Sequence, residues 1–315
     1  MLELTSTAAL TNRFDMRSTT SSPRGIRRAF TLVELLLVIS IIAIVLALVL
    51  VGMNQLQTRS RALACLSNQR QLSLANQTYA IDNNGRLVSP RTDSNPPDGG
   101  MRSVTNCWVN TNNANTAGVE LEKSLQQGAL WSYVGETPKA YVSPMDSSGR
   151  VRSYSFSGFV GVGELDYGHR ADDWFDFPDP ESPDSPEGFR NTQFKTVSMS
   201  LIPQPSRTMA TITEDDRLIR TDGQGYNFSG WVIEVRPPTG AGGLWIDTPA
   251  LWNTGRVNIS FMDGSVDAPN IMYEQLSLAM QANPIGHDVT ETGSRPAFRF
   301  MASILLPGII RPEIQ

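Results

Sequence analysis

Residues 35–51 read LLLVISIIAIVLALVLV, uncharged and with Ser40 as the only polar residue. Extended back to Phe30, the apolar stretch covers about 22 residues. A helix of ~20 apolar residues crosses the ~30 Å hydrocarbon core of a bilayer. The polar leader before it carries Arg13, Arg17, Arg24, Arg27 and Arg28 against Glu3 and Asp15. Positive charge stays on the cytoplasmic side, so the leader is predicted to remain inside and the rest to be exported. Residues 53–82 contain no Pro or Gly and are rich in Leu, Ala, Gln and Arg, which favour helix. Within them Leu56, Leu63, Leu66, Leu74 and Ile81 recur at spacings of 7, 3, 8 and 7, a helical stripe predicted to be the face on which a body packs. Asn83-Asn84-Gly85 supplies a stop. The pattern predicts one helix from about Leu32 to Asp82, ~75 Å long at 1.5 Å per residue.

Beyond the helix the pattern changes to short strands. Residues 151–163, Arg207–Thr213, Gly230–Val235 and Val257–Val266 are predicted strands, the last half-buried through Val257-Asn258-Ile259-Ser260-Phe261-Met262 and turned by Asp263-Gly264. Loops rich in Gly, Pro and Asp join them. The predicted fold class is α+β, a long N-terminal helix packed on a β-rich, loop-rich domain. The divisions are a leader over 1–29, a membrane part of the helix over 30–52, its amphipathic continuation over 53–83 and an exported body over 84–315. The run Phe300–Pro307 is too short to span a bilayer and is expected to close the body as a strand or helix.

Charge narrows the function. The chain has 26 basic and 31 acidic residues; losing the leader removes five Arg and two acids, leaving 21 against 29 and a net charge of -8. An exported body this acidic is no general nucleic-acid binder, because phosphate binding needs clustered Lys and Arg. Two Cys exclude a disulfide-rich scaffold, and two His exclude a multi-histidine metal site. An exported compartment permits a disulfide between Cys65 and Cys107; the alternative is two unpaired thiols. His169 and His287 stand apart from both. Gly158, Gly161 and Gly163 do not complete a dinucleotide fingerprint, and neither a Walker sequence nor a Gly-x-Ser-x-Gly elbow is present. Asp172-Asp173-Trp174-Phe175-Asp176-Phe177 reads as a solvated acidic loop, or as a carbohydrate- or cation-binding loop with exposed aromatics.

Glu34 is the one charge inside the apolar run. A carboxylate there costs ~2.5–3.5 kcal/mol at a helix centre and less near the interface, so it either reaches the headgroups or has a partner. A secretory signal peptide is disfavoured, because the run ends Leu-Val-Leu-Val-Gly-Met-Asn-Gln without a small-x-small cleavage site. The segment Arg27-Arg28-Ala29-Phe30-Thr31-Leu32-Val33-Glu34-Leu35-Leu36 resembles the processing site of type IV prepilins and type II secretion pseudopilins. The resemblance implies that a membrane prepilin peptidase cuts between Ala29 and Phe30 and methylates the Phe30 amine. It also implies that Glu34 faces a neighbour's terminal amine in a filament. Ala29 stands where the family usually has Gly. Met1 and Met16 are both available as starts.

A wider resemblance is to pseudopilin-like proteins of planctomycete-type bacteria. It rests on Cys65–Leu72, Tyr79-Ala80, Asp82–Leu87, Tyr141-Val142-Ser143-Pro144-Met145-Asp146, Pro205–Ala210 and Val257–Val266. Ser143 replaces the Cys of their Cys-Pro-Ser-Asp, and Asn253 replaces the His that precedes Asp263-Gly264. The resemblance implies a structural filament subunit of a type IV pilus or secretion pseudopilus rather than an enzyme. It implies an inner-membrane protein whose C-terminal domain is periplasmic or extracellular. Its partners are copies of itself, other pseudopilins and the prepilin peptidase. Some pseudopilins bind calcium in their β-region, which makes Glu214, Asp215, Asp216 and Asp222 candidate oxygen ligands. The alternative is a membrane-anchored carbohydrate-binding or adhesion module using the Trp174–Phe177 loop.

Overall fold

The computed structural model describes residues 30–92, 105–111, 122–161, 197–202, 204–215, 230–233, 244–245, 247–250, 252–253, 255–271, 287–288 and 295–305. The chain divides into two units, Met1–Gly52 and Met53–Gln315.

In the first unit, helix α1 (Leu32–Asp82) begins. Its segment Leu32–Val49 is long and apolar enough to cross a membrane, and none of it is covered by protein. Phe30 is exposed as well.

In the second unit, α1 continues to Asp82 and ends where the sequence places its stop. Asn84 adopts a left-handed conformation at φ 57° and the Gly85 N–H donates to the Ala80 carbonyl at 2.7 Å. This is the six-to-one bond that closes a Schellman end.

The face of α1 that packs is not the predicted one. Cys65, Gln69, Leu72, Ser73, Ala75, Asn76 and Ala80 are buried, whereas Leu56, Leu63, Leu74 and Ile81 are exposed. Three side chains spaced by four residues hold the helix to the sheet. Gln69 Nε2 donates to the Asn258 carbonyl at 2.8 Å, Ser73 Oγ to Phe261 at 2.6 Å and Gln77 Nε2 to Met262 at 2.8 Å. Asn68 Nδ2 donates to the carbonyls of Lys139 and Val142, both at 2.9 Å, and Asn76 Oδ1 accepts from the Val88 N–H at 3.0 Å. The helix therefore satisfies backbone groups of the body that burial would otherwise strand.

Four antiparallel strands form the main sheet: β1 (Tyr154–Phe156), β2 (Met209–Thr213), β4 (Ile259–Phe261) and β5 (Val266–Asp267), in the order β1-β2-β4-β5. A separate pair joins β3 (Leu244–Trp245) to β6 (His287–Asp288). β1 is shorter than its predicted run: the chain turns directly after it, where the Val160 N–H donates to the Ser157 carbonyl at 3.1 Å, and Gly161 follows at φ +79° with a Cβ position 1.9 Å from the Val88 carbonyl oxygen. Of the predicted strand at Gly230–Val235, the described residues make one parallel bridge, Ser157 to Trp231. Residues 257–260 are buried throughout rather than alternating, a correction to the half-buried prediction. α1 covers this strand through the bonds above. Its polar residues are satisfied internally, Ser260 Oγ lying 2.6 Å from Thr211 Oγ1.

The turn between β4 and β5 explains Asp263-Gly264. Asp263 Oδ1 accepts from the Ser265 N–H at 2.9 Å and Oγ at 2.6 Å. Gly264 sits at φ +85°, and a Cβ there would lie 2.8 Å from Leu74 Cδ2 on α1. Only glycine combines that conformation with so close a helix.

Among the described residues three clusters make the core. One joins Cys65, Leu72 and Ala75 of α1 to Trp108, Tyr141, Tyr154 and Phe156. A second joins Ala80 to Leu87, Val160, Ile202, Ala210 and Met262. The third packs Trp231 and Trp245 on α3 (Arg295–Leu305), whose Ala297, Phe298, Met301, Ala302 and Leu305 are buried. The C-terminal run is thus a helix that closes the body. α2 (Glu122–Gln126) contributes Leu125 to the first cluster.

Candidate functional site: the helix start and the helix–body joint

Ala29 lies outside the described residues. At the start of α1, Thr31 and Glu34 form a reciprocal cap. The Glu34 N–H donates to Thr31 Oγ1 at 3.2 Å, and Glu34 Oε2 accepts from the Thr31 N–H at 2.9 Å and its hydroxyl at 3.0 Å. This is a capping box, which satisfies two N–H groups that a helix start leaves orphaned. The carboxylate also sits at the positive end of the helix dipole. Glu34 is therefore held by its own chain one turn from Phe30. Thr31 was legible in the sequence as the Thr-x-x-Glu that opens an apolar run.

The second place of interest is the joint between α1 and the body, where segments distant in sequence meet. Cys65 is buried, and its thiol is pushed up by that burial; hydrogen bonds with Ser143, Tyr154 and Asn258 oppose the rise. Tyr154 Oη lies 3.4 Å from the Cys65 carbonyl and 3.5 Å from its Sγ. Asn258 Oδ1 accepts from Asn253 Nδ2 at 2.8 Å, and its carbonyl takes the bond from Gln69. Ser143 and Asn258 thus both meet the Cys65 thiol, and Asn253 reaches it only through Asn258.

The disulfide that the sequence permitted between Cys65 and Cys107 is not formed in the structure, where both residues are buried. Cys65 is engaged by Tyr154 and Ser143, while Cys107 belongs to a separate segment bridged to Ser89. Trp108, beside it, stacks on Tyr141 at 5.9 Å, meets Phe156 edge-on at 5.0 Å and carries the Arg152 guanidinium at 5.3 Å. Burial pushes the Tyr141 hydroxyl far above its ordinary value.

A buried ion pair flanks the joint. Arg150 reaches Asp146 Oδ2 at 3.1 Å and the Glu214 carbonyl at 2.9 Å, and stands over the Trp252 ring at 5.8 Å. Burial alone would raise the Asp146 carboxyl, but hydrogen bonds from Ser148 and Ser153 and the Arg150 charge hold it below its ordinary value. A carboxyl lowered in the native state stabilises the fold above its unfolded pKa of ~4, and that contribution is lost as pH falls through the native value. Asp146→Asn is therefore expected to be less stable at pH 7 and to lose less than the native chain between about pH 5 and pH 2. Denaturant unfolding across that range checks it; parallel curves would refute the assignment.

Of the candidate calcium ligands, Glu214 and Asp215 are buried, and the Ser155 hydroxyl donates to Glu214 Oε2. Asp216 and Asp222 lie outside the described residues, as do His169 and the Trp174–Phe177 loop. Among the described residues no group of three or more His, Cys, Asp or Glu could hold a metal ion. His287 lies in β6, paired with Trp245.

Residues 24–50 match the family model described as the prokaryotic N-terminal methylation motif. The motif is of the prepilin type, and the helix that carries it is long and apolar enough to cross a membrane. No curated protein and no solved structure matches the chain.

Proposed function

We propose that this chain is a subunit of a type IV pilus-like or type II secretion pseudopilus filament. Prepilin peptidase cuts it between Ala29 and Phe30 and methylates Phe30; the body stands on the far side of the inner membrane. The observation that carries this reading is the methylation motif over residues 24–50, continuous with an exposed apolar helix that bears Glu34 in its first turn. On assembly, Glu34 exchanges its Thr31 partner for the Phe30 amine of an adjacent subunit. In a low-dielectric filament core a lone carboxylate or ammonium is expensive, whereas a pair is tolerated.

The amino terminus and mass of the protein from host membranes, with and without the peptidase, test the reading. The expected species starts at methylated Phe30 and disappears when the peptidase is absent. An uncut leader, or a cut after residue 51, would leave an anchored or secreted domain instead.

A further inference from the structure

Local propensity does not explain why α1 opens at Leu32. No Pro or Gly stands between Gly25 and Gly52, and Arg27, Arg28 and Ala29 are among the strongest helix formers. By composition the helix could run back across Ala29 and Phe30. It opens instead at Leu32, with Phe30 and Thr31 outside it and Phe30 79% exposed. Its first bond runs from the Leu35 N–H to the Thr31 carbonyl at 3.2 Å, which makes Thr31 the cap residue.

The two bonds of the capping box occupy donors that a longer helix would need. A helix continued toward the leader would donate the Glu34 N–H to the Phe30 carbonyl and the Thr31 N–H to the Arg27 carbonyl, four residues back in each case. Thr31 Oγ1 takes the first at 3.2 Å, and Glu34 Oε2 takes the second at 2.9 Å. The box therefore competes with extension of the helix across the Ala29–Phe30 bond.

The cut is a hydrolysis. The hydroxyl of water goes to the Ala29 carbonyl carbon, the C–N bond breaks, and a proton goes to the Phe30 nitrogen, which leaves as a free amine. Inside a helix that amide would be tied at both ends, its carbonyl to the Val33 N–H and its N–H to the Ile26 carbonyl. We propose that the Thr31–Glu34 box keeps the Ala29–Phe30 bond out of the helix in the uncut chain, so that Thr31 is a positioning residue for the cut. The proposal rests on the reading of this chain as a substrate of prepilin peptidase. Thr31 acts through the backbone, without contact to the enzyme.

The test follows cleavage of the full-length chain in host membranes that contain the peptidase, by pulse-chase and mass. Thr31→Ala is expected to be cut about fivefold more slowly, the shift of a helix boundary that loses one cap. Thr31→Ser keeps the hydroxyl and is cut at the native rate. Slower cutting still delivers mature chain, which has no residue before Phe30 into which the helix could extend. Ala29→Gly introduces a poor helix former on the leader side of the bond. It is expected to speed the Thr31→Ala chain more than it speeds the native one. Amide hydrogen exchange of the uncut chain in detergent reads the boundary directly, and Thr31→Ala is expected to slow exchange at Ala29 and Phe30.

Equal cutting of Thr31→Ala and the native chain overturns the proposal. So does equal acceleration by Ala29→Gly in both backgrounds, which would mean that the peptidase meets the Thr31 hydroxyl directly. Slow cutting of Thr31→Ala with unchanged exchange overturns it as well. The two readings fail separately. A native chain cut before Phe30 at a rate indifferent to Thr31 removes the positioning role alone. A native chain left uncut removes the processing reading and the positioning role with it.

Discussion

Glu34→Gln is expected to abolish filament formation while leaving the protein in the membrane. Glutamine preserves the capping box, since its amide oxygen still accepts from the Thr31 N–H, so the helix start survives. What disappears is the negative charge. In a filament core the neighbour's Phe30 ammonium would then be buried without a counter-ion, and breaking a buried pair costs about 3–5 kcal/mol. Insertion is not threatened, because removing a carboxylate from an apolar helix lowers the cost of entering the bilayer. Thr31→Ala is the complementary variant. It breaks the box, at about 1 kcal/mol, but keeps the charge. It is expected to assemble, with a frayed first turn. Electron microscopy of sheared filaments, beside membrane fractionation, reads both. Normal filaments from Glu34→Gln would sink the pairing model. Loss of filaments from Thr31→Ala as complete as from Glu34→Gln would make the hydroxyl a requirement in its own right.

Ser143→Cys is expected to form a disulfide with Cys65 and to stabilise the body. Ser143 is buried and hydrogen-bonds the Cys65 thiol, so the new sulfur arrives beside an existing one. The bridge would close a loop of about 78 residues, and disulfides over loops of that size typically contribute about 2–4 kcal/mol. The variant is made with Cys107→Ser, so that only one pairing is available. Mass analysis without reductant, and the melting temperature with and without it, are the readouts. A bridge that raises Tm means that the native Ser143 keeps a disulfide-ready joint in a non-covalent form. Two free thiols would mean that the Cβ directions at 65 and 143 do not suit a bridge.

Much of the molecule was legible in order along the chain. The uninterrupted apolar run gave the membrane-competent helix, because only bilayer length and transfer from water decide it. Asn83-Asn84-Gly85 gave the helix end through a left-handed conformation that few residues adopt. Asp263-Gly264 gave the β4–β5 turn for the same reason. The prepilin-type motif is local and needs no tertiary context.

The packing face of α1 was not legible, and the reason is physical. An apolar stripe reports that a face leaves water, not what covers it, so Leu56, Leu63, Leu74 and Ile81 read as core when the body leaves them exposed. The face that does pack is held by Asn68, Gln69, Ser73, Asn76 and Gln77, whose amides and hydroxyl meet backbone groups of strands and loops far away in sequence. Those partners exist only once the chain has folded. The same holds for the joint at Asn258, where Cys65, Ser143, Tyr154 and Asn253 converge from separate segments. Sequence by itself determined the helix, its membrane-competent half, the motif and the turns, because each depends on neighbours along the chain. Tertiary structure alone decided which side of the helix is covered, that Cys65 and Cys107 are not bridged and that β4 is enclosed on both faces, because each depends on contacts that chain order does not encode.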